Sequence, residues 1–401
     1  MQTVRMVLLL VSVAQAIDSL DVRLLGFCDT PGAANCLVVS GAYAYVTTEN
    51  GGLHAISVAD QAKPTEVGSY YTSGVMEAVA VSGQYAYVAV FPGGLRVVSI
   101  ADPSQPVEVG HCDMPGGVVA VAVAGGYAYV ADPDSGLRVI SLADPAGPVE
   151  VGRCSTPDRA VAVAVCGSYA YVADEDSGLR VISVADPSKP VEVGSCFVPD
   201  RTWFVTVSGG YAYVAGDYLG MRVISIADPA RPMEVGYFGS TGEVCGVAVS
   251  GSFAHVAAGM AGLRIVSVAD PASPVEVGYY QTGKAHSVCA FGDYAYVVDY
   301  LGGLQVLEFY GAGVEETPNA EVRTTDFCPT VVRGVLFLPE ASSHKPHATG
   351  SLLDIDGRQV MVLKPGANDV RALAPGVYFV REASQASGRM PQAVRKVVVT
   401  R

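Results

Sequence analysis

The feature that most constrains this chain is an internal repeat with a period of about 42 residues, which is within the range of repeat architectures. The pattern Tyr-Ala-Tyr-Val, or Phe-Ala-His-Val at its sixth occurrence, begins at Tyr43, Tyr85, Tyr127, Tyr169, Tyr211, Phe253 and Tyr294. Two further patterns share this spacing: Ala-Asp-Pro, last seen at Ala269, and Glu-Val-Gly, last seen at Glu276. A fixed period of this length is typical of solenoids, propellers and arrays, in which like units cover one another.

Each unit predicts four short strands. In the unit 118–154, alternating or apolar runs are separated by Gly-Gly, by Asp-Pro-Asp-Ser-Gly and by Asp-Pro-Ala-Gly-Pro, which are turn sequences. The predicted strands of this unit are 118–124, 127–131, 137–142 and 149–154. Both faces of such a sheet are mostly apolar, so each sheet must be covered on both sides. Four strands in about 42 residues, covered by like neighbours, describe a propeller blade.

The two ends of the repeat complete each other. The seventh unit has predicted strands at 287–291, 294–298 and 304–309 but lacks the Ala-Asp-Pro and Glu-Val-Gly patterns. Segment 22–26 lies one full period before the Glu-Val-Gly that ends at Gly68 and is in phase with it. An N-terminal strand in the seventh blade would remove two exposed sheet edges. We therefore predict an all-β fold, a seven-bladed β-propeller over 17–310 closed by the N-terminal strand, rather than a capped solenoid.

The repeat resembles a known family. Gly136-Leu-Arg-Val-Ile-Ser-Leu-Ala-Asp-Pro145 and Pro190-Val-Glu-Val-Gly194, beside Tyr-Ala-Tyr-Val-Ala, are similar to the LVIVD-repeat β-propeller proteins over about residues 20–310. The resemblance implies a secreted or surface propeller without an established common catalytic activity.

The N-terminal segment predicts export. Residues 1–16 combine Arg5, a short apolar stretch from Met6 to Val13 and the sequence Ala-Gln-Ala, which is the pattern of a secretory signal peptide cut after Ala16. The sequence lacks the long apolar run that a membrane-spanning helix requires. We expect the protein at the cell surface or in the extracellular space.

A second domain follows a linker at 311–330. Strand-like runs over 331–401 predict a small C-terminal β-sandwich. Leu353-Asp-Ile-Asp-Gly-Arg-Gln-Val360, Leu373-Ala-Pro-Gly-Val-Tyr-Phe-Val380 and the terminal Arg395-Lys-Val-Val-Val-Thr-Arg401 resemble the sorting domain of type IX (Por) secretion. That resemblance implies outer-membrane secretion machinery as a partner. The alternative is an ordinary accessory β-sandwich.

Charge separates the two domains. Residues 6–320 contain 13 Lys and Arg against 32 Asp and Glu, a net of −19, whereas residues 321–401 contain 11 against 7, a net of +4. A strongly acidic propeller does not favour a nucleic-acid partner, because a phosphate backbone needs basic contacts. It suits solubility, basic partners or divalent cations.

Variation within the repeat locates the candidate site. Turns between the first and second strands, and between the third and fourth, are nearly uniform, whereas the other two connections vary and emerge together on one face of a propeller. Binding residues concentrate on loops held by a rigid scaffold. The candidate binding residues on this variable face are Phe91, Asp132, Asp174, Arg201, Trp203, Asp217, Tyr218, Lys284, His286, Asp299 and Tyr300.

Three features of the repeat have two interpretations each. Trp203 stands where other units have Val119 and Val161, and is either an exposed anchor or a larger core residue. The Asp-x-Asp-Ser-Gly turns at Asp132 and Asp174 are either ordinary turns or the start of a calcium loop, although the rest of an EF-hand loop is missing. Arginines share one phase of the third strand and either pair with acidic residues or form an anion-binding ring; they are Arg96, Arg138, Arg180, Arg222 and Arg264.

Catalytic and redox patterns are missing from the sequence. It contains no HExxH, GxSxG, P-loop or CxxC, and no cofactor is predicted. The nine cysteines are interpreted as small buried residues, with a Cys28–Cys36 disulfide as the alternative. We predict a non-catalytic binding or scaffold protein for a protein or glycan partner. The alternatives are a secreted polysaccharide hydrolase or lyase with carboxylates in the propeller mouth, and a purely structural envelope component.

Overall fold

A computed structural model describes residues 19–310 apart from 115, 218, 219 and 301, together with the backbone of strands between 330 and 399. The predicted signal peptide (1–16) and most of the predicted linker (311–330) lie outside the described residues. The described residues begin with two strands, β1 (Ser19–Leu20) and β2 (Val22–Cys28). Six groups of four consecutive antiparallel strands follow, and we number them as blades 1 to 6, with strands a to d in chain order; β1 adds a fifth strand to the sheet of blade 6.

The strands of the first three blades follow one another along the chain with near-identical lengths. In blade 1 they are β3 (Ala34–Ser40), β4 (Tyr43–Thr48), β5 (Gly52–Ser57) and β6 (Thr65–Tyr71). In blade 2 they are β7 (Val75–Ser82), β8 (Tyr85–Phe91), β9 (Gly94–Ser99) and β10 (Val107–Cys112). In blade 3 they are β11 (Ala120–Ala124), β12 (Tyr127–Asp132), β13 (Gly136–Ser141) and β14 (Val149–Cys154).

The next three blades repeat the same order. In blade 4 the strands are β15 (Ala160–Cys166), β16 (Tyr169–Asp174), β17 (Leu179–Ser183) and β18 (Val191–Cys196). In blade 5 they are β19 (Thr202–Ser208), β20 (Tyr211–Gly216), β21 (Met221–Ser225) and β22 (Met233–Phe238). In blade 6 they are β23 (Gly246–Ser250), β24 (Phe253–Ala257), β25 (Leu263–Ser267) and β26 (Val275–Tyr280).

Blade 7 combines the two ends of the propeller. Its strands a to c are β27 (Ala285–Phe291), β28 (Tyr294–Asp299) and β29 (Gly303–Phe309). Its fourth strand is β2, which pairs antiparallel with β29 from Val22 opposite Phe309 to Cys28 opposite Leu304. The predicted closure by the N-terminal strand is therefore present. The a strands contact one another all the way round, from β3 through β7 to β27 and back to β3.

The repeated patterns form the cores between blades. Ala128, Val130 and Ile140 of blade 3 pack with blade 2, whereas Tyr129 and Val139 on the other face pack with blade 4. Successive side chains of one strand therefore pack against the two blades on either side of it. This agrees with the sequence, in which both faces of each sheet are apolar. The Gly-Gly turns need left-handed backbone, and Gly125 and Gly126 have φ values of 59° and 82°.

The Glu-Val-Gly and Ala-Asp-Pro patterns meet between neighbouring blades. A Cβ added to Gly152 in blade 3 would lie 2.3 Å from the carbonyl oxygen of Pro187 in the turn of blade 4, and one on Gly194 would lie 2.3 Å from that of Pro229 in blade 5. Glycine is therefore required where the d strand of one blade passes the c–d turn of the next. Blade 7 lacks that turn, and β1 pairs with β26 beside Gly278, where an added Cβ would approach the carbonyl oxygen of Leu20.

Beyond the propeller the structure describes strand backbone alone. The strands are β30 (Thr330–Val332), β31 (Val335–Leu338), β32 (Gly350–Leu353), β33 (Gln359–Leu363), β34 (Gly366–Asp369), β35 (Gly376–Glu382) and β36 (Val394–Val399). Five of them form one sheet, and β31 pairs with β34 in another. The C-terminal sandwich and its sorting role stay predictions. No helix long and apolar enough to cross a membrane occurs in the part of the chain that the structure describes.

Candidate functional site

The two variable connections meet on one face of the propeller. The b–c turn of blade 7 hydrogen-bonds to the segment that enters the same blade, with the amide of Tyr300 donating to the carbonyl of Lys284 at 2.9 Å. In blade 1 the amide of Glu49 donates to the carbonyl of Ala33 at 2.9 Å in the same way. These connections surround the N-terminal ends of the a strands, which form the ring about the central axis. We call this region the mouth.

A β-bulge marks the mouth end of most a strands. The a–b register shifts by one residue between Ala34 and Cys36, and the equivalent shift occurs in blades 2, 4, 5 and 7. A bulge re-aims the side chain of the extra residue. The bulge position stands at a fixed distance before each Tyr-Ala-Tyr-Val pattern, and we call the seven equivalent residues the mouth ring. They are Asn35, Glu77, Val119, Val161, Trp203, Cys245 and His286.

The mouth ring is chemically irregular in a molecule that otherwise repeats. The residue just before each ring position is fully buried and small or apolar in most blades, as with Ala34, Met76 and Ala160. The ring position itself is half-buried in six blades and takes six different residue types over the seven. The packing environment of a given position is similar in every blade. It therefore explains why most strand positions repeat, but not why the mouth-ring position varies.

One side of the mouth ring is held by polar contacts that run from blade to blade. Nδ1 of His286 lies 2.8 Å from the carbonyl oxygen of Asn35, and Nδ2 of Asn35 donates to the carbonyl of Met76 at 3.2 Å. The ring positions of blades 7 and 1 are therefore linked to each other, and that of blade 1 is linked to the residue before Glu77 in blade 2.

Tyr300 and Lys284 extend this polar side outward. The Tyr300 hydroxyl donates to Oε1 of Glu49 at 2.5 Å, and this hydrogen bond raises the pKa of the phenol. The Lys284 ammonium lies 5.0 Å from the centre of the Tyr300 ring, within cation–π range. The ring of His286 lies 5.7 Å from that of Tyr300. Three of the predicted residues therefore form one cluster.

Glu77 is the charged member of the mouth ring. It is half-buried, and burial together with the negative charge of Glu49 raises the pKa of its carboxyl group. It has no hydrogen bond or ion pair with any residue that the structure describes. Its ionised form therefore lacks a counter-charge within the described chain.

Trp203 and Cys245 lie on the other side of the ring. The indole Nε1 of Trp203 donates to Oδ1 of Asp217, which joins two predicted residues and orients the indole. The indole is half-buried, which is intermediate between the exposed anchor and the larger core residue that the sequence allowed. Burial raises the pKa of the Cys245 thiol to about 12, with charges of Glu243, Lys284 and Asp217 nearby. This thiol is therefore un-ionised at neutral pH and is a weak nucleophile.

Arg201 belongs to an ion-pair cluster beside the mouth. Its guanidinium lies 3.6 Å from Oε1 of Glu175 and 3.4 Å from Oδ1 of Asp176, and Arg159 approaches Oε2 of the same Glu175 at 3.6 Å. Glu175 is buried and has a left-handed φ of 33°. Its carbonyl accepts from the amide of Thr202 at 3.0 Å, so the cluster ties blade 4 to blade 5.

The predicted aspartates at the ends of b strands are buried. Oδ1 of Asp132 accepts from the amides of Asp134 and Ser135, and its Oδ2 pairs with Nε of Arg138 at 2.7 Å. Oδ2 of Asp299 accepts from the amide of Lys284 at 2.8 Å. These carboxylates are buried, and their hydrogen bonds hold the turns.

Asp174 has the same turn-holding role. Its Oδ2 lies 3.3 Å from Nε of Arg180 and accepts from the amide of Asp158 at 3.2 Å. Among the residues that the structure describes, no three His, Cys, Asp or Glu side chains are grouped so as to hold a metal ion. Oδ2 of Asp132 and Oδ2 of Asp174 are each directed to an arginine, whereas Oδ1 of Asp174 is buried without a hydrogen-bond partner among the described residues.

Exposed apolar side chains surround the mouth. Phe91 lies against Gly117 and is 41% exposed, while Phe197 and Met260, in connections of other blades on the same face, are 72% and 70% exposed. Tyr218 lies outside the described residues. Exposed aromatic and methionine side chains beside charges are typical of macromolecular binding surfaces.

The phase-sharing arginines are structural, as one interpretation held. Arg138, Arg180, Arg222 and Arg264 each lie within 3.5 Å of the Glu of their own Glu-Val-Gly pattern. Arg96 pairs instead with Asp113 at 2.8 Å. Cys28 and Cys36 are both free thiols, so the alternative disulfide between them is not formed.

Sequence reasoning missed several residues of the mouth. Glu49, Glu77, Asn35, Glu175 and Cys245 were not among the candidates. A signal for three of them was present, because aligning the seven units by phase places Asn35, Glu77 and Cys245 beside Trp203 and His286. The sequence alone shows that this phase varies, but the bulge that directs it to the mouth requires the strand register.

The fold and its irregular mouth define a repeat propeller with one non-repeating face. Seven segments match the model of the LVIVD repeat, at residues 31–72, 73–114, 115–156, 158–198, 201–239, 241–282 and 282–308. These segments span well over half of the chain, and the protein belongs to the LVIVD repeat family. The comparison with curated proteins found no match.

Solved structures share the propeller architecture at low sequence identity. The β-propeller domain of Cps50 (Swd1) from Myceliophteria thermophila is 12% identical with a TM-score of 0.60, covering 72% of this chain and 99% of that one. The WD40 repeats of RRP9 are 13% identical with a TM-score of 0.60, covering 72% and 97%. The computationally designed Ika8 protein is 8% identical with a TM-score of 0.56, covering 71% and 99%. These likenesses show the fold alone.

Proposed function

We propose that this protein is an exported, non-catalytic binding scaffold that recognises a protein or glycan partner through the mouth and the surrounding variable face. The mouth ring supports this most directly. A position that serves packing meets the same neighbours in every blade and so repeats. A position that contacts one ligand from seven directions has no reason to repeat, and the seven residues of the ring differ accordingly.

The type of partner follows from the chemistry of that face. The exposed Phe91, Phe197 and Met260 surround charged groups of both signs, as in interfaces with macromolecules. Glycans stack on indole and phenol rings, and Trp203 and Tyr300 provide one of each. A net charge of −19 over residues 6–320 opposes binding to a phosphate backbone.

Export is supported by the two ends of the chain. The n-region, apolar stretch and Ala-Gln-Ala sequence of residues 1–16 form a signal peptide pattern. The three C-terminal motifs resemble the type IX sorting domain, which directs cargo to the cell surface. In a host with that secretion system, we expect the full chain at the surface or in the medium, whereas a chain ending at 330 stays in the periplasm. Equal release of both would overturn the sorting role.

The binding role is tested by comparing two variants of the full chain. Trp203→Ala removes the indole at the mouth, and Asp293→Asn changes an exposed residue of an a–b turn on the opposite face. Both proteins and the wild type are screened on glycan arrays and by cross-linking to surface proteins. We expect a ligand of the wild type that Trp203→Ala binds at least about tenfold more weakly and Asp293→Asn binds equally.

Two outcomes would contradict the binding role. If no glycan or protein binds the wild type, the protein is a structural envelope component. If bound glycans are cleaved rather than held, the protein is a polysaccharide hydrolase or lyase. The same arrays detect both, because products released from immobilised glycans are measurable.

A further inference from the structure

The mouth ring has two chemically different sides. Blades 7, 1 and 2 contribute His286, Asn35 and Glu77, which are polar, whereas blades 3, 4 and 5 contribute Val119, Val161 and Trp203, which are apolar. In a closed ring of seven blades, blade 5 lies across the axis from blades 1 and 2. Trp203 therefore faces the Glu77 side across the mouth. A ligand that enters the mouth meets an apolar surface on one side and a carboxylate on the other.

Glu77 lacks the partner that a half-buried carboxylate normally has. Its side chain makes no hydrogen bond or ion pair with a described residue, and burial together with the like charge of Glu49 raises the pKa of its carboxyl group. Half-buried carboxylates are stabilised by a cation or by hydrogen-bond donors. A positive group placed at Glu77 would therefore meet a carboxylate without a partner among the described residues, and the negative charge of Glu49 would add to the attraction.

The cations of this face are committed elsewhere. The Lys284 ammonium lies over the Tyr300 ring. His286 directs Nδ1 to the carbonyl of Asn35. Arg159 and Arg201 both approach Glu175 of blade 4. The hydroxyl of Tyr300 and the carboxylate of Glu49 bond to each other, so Glu49 is shielded on one oxygen but keeps its charge.

We propose that the mouth binds a lysine or arginine side chain of a protein partner, with its methylene stem against Val119, Val161 and Trp203 and its cationic head between the indole and Glu77. Such a side chain combines an apolar stem with a charged head, as the two sides of the ring require. The indole offers a cation–π contact in addition to the carboxylate. The acidic propeller attracts basic partners over a longer range. This inference rests on the proposed binding function and narrows its partner to a protein.

Trp203 itself makes the test direct. It is the single tryptophan of the chain, so tryptophan fluorescence of the full-length protein reports on the mouth alone. The probes are the peptides acetyl-Gly-Gly-Arg-Gly-Gly-amide, its lysine analogue, and an analogue with citrulline, which keeps the shape of arginine without its charge. At pH 8 we expect a saturable fluorescence change with the arginine and lysine peptides, and about tenfold weaker binding of the citrulline peptide.

Two charge-neutralising variants locate the contact. Glu77→Gln should weaken the binding of the arginine peptide about tenfold and reduce its dependence on salt, since a charge-assisted contact is lost. Asp293→Asn removes one negative charge on the opposite face and should leave the affinity unchanged. Glu77→Gln also relieves the repulsion from Glu49, so its thermal midpoint should equal or exceed that of the wild type, which guards against a folding artefact.

The outcomes separate this inference from the proposed function. Equal binding of the arginine and citrulline peptides, or of the wild type and Glu77→Gln, would overturn the inference. An unchanged tryptophan signal together with a glycan ligand sensitive to Trp203→Ala would overturn the inference and leave the binding function in place. If the peptides leave the tryptophan fluorescence unchanged and the screen also finds no ligand, both the inference and the proposed binding function are overturned.

Discussion

At the scale of single residues, burial decides what a polar side chain in this repeat does. Asp132 and Asp299 stand in variable turns, where the sequence favours a ligand-binding role, yet both are buried. Asp132 accepts from the amide of Asp134 in its own turn, and Asp299 accepts from the amides of Gly302 in its own turn and of Lys284 in the adjacent connection. Glu77 stands inside a strand, where the sequence favours no role, yet it reaches the mouth without a partner among the described residues. The difference lies in their hydrogen bonds. Burying a carboxylate costs little free energy where N–H donors surround it, as at Asp132 and Asp299, and such donors are missing at Glu77 among the described residues.

His255 provides a residue-scale prediction about pH. It replaces the second Tyr of the pattern, is buried, and has no hydrogen-bond partner on Nδ1 among the described residues. Burial lowers the pKa of its imidazole from 6.5 to about 4. Between these values the unfolded chain binds a proton that the folded chain excludes, so the free energy of unfolding falls as the pH falls through this window.

Restoring the repeat should remove that pH dependence. In His255→Tyr, stability relative to the wild type should rise by up to about 3 kcal/mol as the pH falls from 6.5 to 4, because each pKa unit corresponds to about 1.4 kcal/mol. Urea denaturation of both proteins across this range measures the difference. Between pH 7 and 9 the difference should be constant. Parallel curves down to pH 4 would show that the buried imidazole does not titrate with folding.

At the scale of elements, the two strongest sequence patterns are two halves of one contact. The glycine of each Glu-Val-Gly lies where an added Cβ would collide with the Asp-Pro turn of the next blade. In blade 7 the turn is missing, and β1 occupies the corresponding place against blade 6. These two patterns therefore repeat because each unit contacts the next at this point, in addition to forming its own strands.

Gly152 tests this contact. Its added Cβ would lie 2.3 Å from the carbonyl oxygen of Pro187 and 2.9 Å from Cδ of Pro190, so Gly152→Ala must displace backbone. We expect it to lower the free energy of unfolding by about 2 kcal/mol, as overpacking does. Gly239→Ala is the control, because no atom lies within 4 Å of its added Cβ, and we expect a change below about 0.5 kcal/mol. Equal effects in chemical denaturation would refute a close approach specific to Gly152.

At the scale of the whole molecule, closure depends on a strand from the other end of the sequence. β2 covers the edge of β29, and the a strands then contact one another around a complete ring. The mouth ring exists as a site because of this closure, since His286 of blade 7 meets Asn35 of blade 1 across it.

Removing the closing strand should open the ring. In a chain lacking residues 1–28, the edge of β29 is unpaired, and exposed edges pair with other chains. We expect faster amide hydrogen exchange in β27 to β29 and association detected by size-exclusion chromatography with light scattering. A chain lacking residues 1–18 keeps β1 and β2 and should stay unchanged. A monomer with protected β29 after the longer deletion would show that blade 7 closes without β2.

The candidate site was predictable in part. Phase alignment locates the variable face, Trp203, Lys284, His286 and Tyr300, and the structure brings the last three together. It does not identify Glu49 or Glu175. It places Glu77 in a phase that varies, but it does not show that this phase faces the mouth, because a side chain's access to the mouth depends on bulges and on neighbouring blades. Asp132 and Asp174 each pair with an arginine of the next strand of their own blade, which agrees with the acidic pairing that the sequence offered for these arginines.

The sequence by itself determined the number of blades, the order of strands within them and the strand that closes the ring. Each of these follows from local strand signals repeated at a fixed period, and the in-phase segment at the N-terminus supplies the missing strand. The tertiary structure alone decided which side chains reach the mouth. Closure places residues one repeat apart side by side, and contacts such as that of His286 with the Asn35 carbonyl join neighbouring blades that no single repeat contains.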